Sequence, residues 1–170
     1  MHISMSNTSI TICRKMLGNL SHILAKGEAS ATARKIDPLV LTSDRLAPDM
    51  FDLSRQVQIA CDMSKIGLAR LASVEPPKFD DTEKTFAELQ ERIAKTIAFI
   101  DSLNPSSIDG SEDKEITFPA GPDRKLTMNG HAYLTTWLLP NLFFHVTTAY
   151  AILRHNGVDV GKMDYLAGAQ

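Results

Sequence analysis

The 170-residue chain has only two cysteines, Cys13 and Cys61, a single tryptophan, and 6% aromatic residues in all. Neither cysteine belongs to a CxxC pair, which excludes a redox motif and a thiolate zinc site of the usual spacing. Both fall on or near apolar stripes of helical segments. They read as buried free thiols in a reducing cytoplasm. Basic charge is not in excess, since 18 Lys and Arg face 20 Asp and Glu for a net charge of −2. That balance offers no footprint for nucleic acid. The longest apolar run, Trp137 to Val146, is broken by Pro140, Asn141 and His145 and is too short to span a bilayer. Met1-His2-Ile3-Ser4 lacks the charged-then-apolar order of a secretion signal. No glycine-rich phosphate loop, HExxH or serine elbow is present either.

What remains is the pattern of an ordinary globular chain, with 44% apolar and 22% charged residues. Its length suits a single domain over residues 1–170. Ile10, Cys13, Met16, Leu17, Leu20, Ile23 and Leu24 recur at three- and four-residue spacing. They predict a first helix from Ser9 to Lys26, capped by Thr8 or Ser9 and stopped by Gly27. Glu28 to Ile36 has helical composition without a long stripe and reads as a short extra helix, broken at Asp37-Pro38. Met50, Leu53, Val57, Ala60, Cys61, Ser64, Leu68 and Leu71 mark a second helix with Pro48 in its first turn, and Pro76-Pro77 ends it. The third carries Phe86, Leu89, Ile93, Ile97 and Ile100 as its seam. Asp80 with Glu83, or Thr82, caps it, and Glu88, Glu91, Arg92 and Lys95 face water.

Residues 104–129 change character, being rich in proline, glycine, serine and aspartate. Ile116–Phe118 and Lys125–Met128 can pair as a small hairpin around Pro119 to Asp123. A fourth helix follows Asn129-Gly130, is kinked by Pro140 and closes at Asn156-Gly157. The expected fold is therefore all-α: an antiparallel four-helix bundle with a long loop or small β-hairpin between helices three and four.

Among the histidines, His2 is terminal, and His22 lies opposite the apolar face of its helix and reads as solvated. His131 opens a helix, and His155 sits in a last turn, where positive charge suits the dipole. His145 shares the inward arc of Leu142, Ala149 and Ile152, with Asn141 one turn before it. That placement suits either a buried histidine hydrogen-bonded to a polar partner or one ligand of a bundle metal site. Gln58 and Asp62, one turn apart, can line a polar groove or serve as boundary residues beside Gln56.

The stretch Asn141 to Val158, with its Leu153-Arg154…Gly157-Val158 ending, resembles the last helix of the DinB-like bundle superfamily. Arg55-Gln-Val-Gln-Ile-Ala-Cys61, together with Leu138-Leu-Pro-Asn-Leu-Phe-Phe-His145, is similar to a bacterial branch of unknown function within it. The resemblance implies a four-helix bundle, often dimeric. Better-known members hold a divalent metal with three histidines, and some are thiol-dependent transferases or isomerases. His145 matches the second histidine of the family pair. Asn141 stands in place of the first, and helix two offers Gln56, Gln58 or Asp62 where a histidine is expected. Two of three ligands are thus replaced. The expectation is a metal-poor ligand-binding or stress-related scaffold with a polar pocket around His145, Asn141, Gln58, Gln56 and Asp62. No metal is expected there. The alternative is a zinc- or nickel-dependent enzyme of the transferase or isomerase type with an altered ligand set. Expected partners are a second copy of the chain and a small molecule, with neither nucleic acid nor membrane. Whether any catalysis occurs stays open.

Overall fold

A computed structural model describes residues 3–168, so His2 lies outside the described residues. The chain is a four-helix bundle with a two-stranded hairpin. Helix α1 runs from Met5 to Arg34, well past the expected stop at Gly27. Gly27 works as a spacer. A Cβ there would lie 3.0 Å from a methyl of Leu153 and 3.2 Å from the Phe86 ring, so its bareness lets two other helices close on α1. The following Ala-rich turn propagates the helix to Lys35, which ends it in the left-handed region. Its start also differs from expectation. Ser4 is the cap, accepting from the Asn7 amide, and Ser9 lies buried inside the helix.

Helix α2 (Pro38–Thr42) is capped by Asp37, as the Asp-Pro break implies. Helix α3 spans Leu53–Ala72, and its cap is Asp52 rather than the Pro48 turn, with the Asp52 carboxylate accepting from Arg55 N at 2.8 Å. Helix α4 covers Phe86–Ser102. Neither Asp80 nor Thr82 caps it. Thr85 and Glu88 form a reciprocal capping box, with Thr85 Oγ1 accepting from Glu88 N and Glu88 Oε2 accepting from Thr85 N.

Strands β1 (Glu115–Pro119) and β2 (Lys125–Asn129) pair antiparallel, with Thr117 opposite Thr127 and their hydroxyls 2.8 Å apart. Ile116 and Phe118 point into the core. Asn129 then caps the single turn α5 (Gly130–Ala132). A wide π-helical turn over Tyr133–Leu138 leads into α6 (Leu139–His155). Pro140 supplies the reason: it has no N–H to donate, and its ring crowds the preceding turn, which widening relieves. A last short helix, α7 (Lys162–Ala167), folds back on α1.

The four long helices form a ring in which α1 and α3 each contact both α4 and α6. Antiparallel packing is seen within two pairs. Ser21 bonds Gln90 while Arg14 pairs with Asp101, which opposes α1 to α4. Gln56 meets His145 while Gly67 abuts Leu138, which opposes α3 to α6. Between α3 and α4 the chain returns along α3, as the pairings Lys65 with Phe79 and Gln58 with Glu83 show. These two helices therefore run the same way. Among the described residues, no helix is long and apolar enough to cross a membrane.

His22 corrects its expected solvated role. It is half-buried and shares Asp164 of α7 with Lys26, its Nε2 lying 2.8 Å from Asp164 Oδ1. The same helix is held by Asn19, whose amide donates to the Tyr165 carbonyl at 2.7 Å.

Two glycines test this packing in opposite directions. At Gly130 a Cβ would fall 1.9 Å from the Ser111 carbonyl oxygen, whereas at the exposed Gly18 of α1 nothing lies within 4 Å. Gly130→Ala is expected to cost about 3 kcal/mol by overpacking. Gly18→Ala should instead stabilise by roughly 0.5–1 kcal/mol, because alanine restricts the unfolded chain more and favours a helix interior. Urea unfolding of the two variants reads both signs.

Candidate functional site

Helices α3 and α6 bring the first two candidate residues together. His145 Nδ1 lies 2.7 Å from Gln56 Oε1. Gln56 donates its amide N–H to the Phe51 carbonyl at 3.0 Å, which orients the side chain and leaves its oxygen toward the ring. Nδ1 therefore carries the proton, and Nε2 is left as an acceptor. Burial, with a smaller contribution from the Arg55 charge, lowers the His145 pKa to about 4. At neutral pH the ring is uncharged.

The other candidates go elsewhere. Asn141 is turned onto its own helix, where its Nδ2 donates to the Trp137 carbonyl at 2.7 Å. Gln58 is bound between Arg55 and Glu83, and Asp62 belongs to a buried charge cluster around Arg92. Apart from the His145–Gln56 pair, each of the five is tied to a partner of its own. Arg55 comes closest to joining them, since it bonds Gln58 and its charge is felt at His145.

This donor set does not fit a transition metal. The polar side chains nearest His145 in the expected ligand set, Gln56 and Asn141, are amides, and both are engaged by protein groups. Amide oxygens are weak donors to such ions beside imidazole or thiolate. Among the described residues, no three His, Cys, Asp or Glu side chains are gathered to hold an ion. The thiols offer no nucleophile either. Cys13 and Cys61 are free and buried, and burial pushes each up to about 12.

The structure adds a feature that the sequence reading placed in water. Arg92 is 2% exposed and gathers Asp62 at 3.1 Å, Asp81 at 2.9 Å and Glu83 at 3.0 Å. Lys65, 3% exposed, pairs with Asp62 at 2.9 Å and stands over the Phe79 ring. Burial works against the charge of Asp81, yet Arg55 and Arg92 together hold its carboxyl below the usual range. The signal was available. Leu89, Arg92, Ile93 and Thr96 follow the i, i+3, i+4, i+7 spacing of one face, and all four are buried.

Beside this cluster lies a cleft of about 550 Å³ between α2, the first turns of α3 and residues 81–84. Leu39, Phe51, Arg45, Arg55, Asp81 and Lys84 are among its walls, and Gln58 is the only candidate residue that reaches it.

With this geometry the molecule takes its place among the DinB-like helical bundles. A solved structure described as a DinB family member protein from Shewanella denitrificans shares the fold at a TM-score of 0.88, with 44% identity over 97% of this chain and 92% of that one. Residues 5–166 match the family model described as Domain of unknown function (DUF1993), and the chain belongs to that family. No curated protein matches it.

Two outcomes follow from the site. Since the folded pKa of His145 lies below the ordinary value of about 6.5, the neutral ring contributes stability that is full above that value. The contribution is lost progressively as pH falls toward 4. His145→Gln, which does not titrate, should show a shallower fall in Tm than the parent between pH 6.5 and 4.5. Parallel slopes would contradict it. Arg92→Met leaves three carboxylates facing one another, and denaturant unfolding should register a loss of about 3–5 kcal/mol.

Proposed function

We propose that this protein is a metal-independent bundle that binds a small molecule in the cleft beside α2 and α3, and that it is not a metal-dependent transferase. The observation that carries the reading is the His145–Gln56–Phe51 chain of hydrogen bonds. Where metal-binding relatives need a second imidazole, this chain has an amide already committed to the backbone. His145 then acts as a strut that orients the first turn of α3 and, through it, the cleft wall that Phe51 and Arg55 form. Held neutral, it is no proton donor near pH 7. A stress-related role fits a binding scaffold of this kind equally well. The cytoplasm is the proposed location, in keeping with two unpaired thiols.

The second reading keeps a metal on the free Nε2 of His145, completed by water and amide oxygens, in a zinc- or nickel-dependent enzyme. Elemental analysis of protein purified without chelator separates the two. Far less than one transition metal per chain is expected, and a value near one would overturn the proposal.

We further propose a homodimer, for which several large apolar side chains, Phe144 and Leu166 among them, stand exposed. Light scattering at micromolar concentration should give twice the chain mass of 18.7 kDa. A value at the chain mass would remove the dimer and leave the cleft reading intact.

A further inference from the structure

We infer that the cleft selects an organic anion with a compact apolar body, such as an aryl or short-chain carboxylate or sulfonate. This rests on the reading of the cleft as the ligand site and adds the chemistry that the site recognises.

The apolar part of the argument is one of distribution. Nine large hydrophobic side chains are exposed among the described residues, and four of them, Leu39, Val40, Leu46 and Phe51, lie between α1 and α3. Leu39 and Phe51 line the cleft itself and are 47% and 56% exposed. The Arg55 guanidinium lies 5.8 Å from the Phe51 ring centroid, and the Phe51 carbonyl is bonded to Gln56. An aromatic face left open to solvent suits an apolar or aromatic ligand body.

The polar part is one of saturation. Three carboxylates and three cations line the cleft, so formal charge alone chooses nothing. Their partners do. Asp52 accepts from the Arg55 amide at 2.8 Å as the helix cap. Asp81 is held by Arg55 and Arg92, and Glu83 accepts from Arg92 at 3.0 Å and from Gln58 at 3.1 Å. Asp81 and Glu83 are thus paired with arginines, and Asp52 is occupied as a helix cap. The cations are less committed. Arg45 gives one N–H to the Met50 carbonyl at 3.2 Å, and its other terminal nitrogen is 4.0 Å from Asp52, beyond a hydrogen bond. Lys84 is exposed at the rim, with no carboxylate within ion-pair distance among the described residues. Unsatisfied donors beside saturated acceptors make the mouth favourable to an anion. Arg45 offers the planar fork that a carboxylate or sulfonate takes up, and Lys84 supplies a point charge. A cleft of about 550 Å³ is within the ordinary range for a small organic ligand.

The test uses the full chain and two probes of similar shape, 8-anilinonaphthalene-1-sulfonate and the neutral N-phenyl-1-naphthylamine. Fluorescence titration should show saturable binding of the anionic probe, weakened about tenfold or more in Arg45→Gln/Lys84→Gln, as expected for loss of charge-assisted hydrogen bonds. The neutral probe should bind the parent and the double variant alike. Both replaced side chains are at the surface, and an unchanged melting temperature confirms that the variant is folded. If the two probes bind equally and the double variant is indifferent to charge, the anion preference is overturned while the ligand cleft stands. If neither probe binds, or if Phe51→Asp leaves both titrations unchanged, the cleft reading fails and takes the inference with it.

Discussion

The fold turns on one buried guanidinium. Arg92 sits on the face of α4 that should be apolar, and a lone cation there would be untenable at 2% exposure. Its stability depends on carboxylates carried in from two other places, Asp62 on α3 and Asp81 with Glu83 on the returning chain. Because α3 and α4 point the same way, the segment after Ser73 has to travel the length of a helix with no regular hydrogen bonding of its own. The Arg92 cluster, with Phe79 under Lys65, pins that segment to the bundle. The pinned segment then supplies one wall of the cleft. Charge pairing in the interior and the shape of the cleft are thus one arrangement.

The same economy applies to His145. In a metal-binding bundle an imidazole at this place needs its second nitrogen oriented by a hydrogen-bond acceptor. Here Gln56 provides such an acceptor, and among the described residues no cluster of three His, Cys, Asp or Glu side chains gathers that could hold an ion. What remains is a polar contact between α3 and α6. It fixes the tautomer and, through Phe51, the entry of the chain into α3.

The apolar stripes were legible in the sequence because each long helix buries one face, and the hairpin was legible because a proline- and glycine-rich turn separates two short β-rich runs. Helix ends were less so. Gly27 looked like a stop from composition, yet it faces Leu153 and Phe86, a reason that exists only in three dimensions. Asp80 and Thr82 looked like caps, but Thr85 with Glu88 closes α4 and the neighbouring acids turn to Arg92. His22 looked solvated because nothing local announces that α7 will fold over it. As for the candidate site, spacing put His145 on an inward arc and the resemblance offered Gln56, Gln58 or Asp62 beside it; in the structure the ring meets Gln56. Neither could say that Asn141 would turn to its own backbone or that Gln58 and Asp62 would answer to arginines.

The ring order of the helices also bears on how the chain is made. Helix α1 finds its main neighbours in α4, α6 and α7, none of which begins before residue 86. A nascent chain emerging from the ribosome carries Leu17, Leu20, Ile23 and Leu24 without these neighbours until residues beyond 86 have been made. The bundle closes only when α6 arrives. Synthesis thus exposes an apolar helix well before the helices that cover it are made.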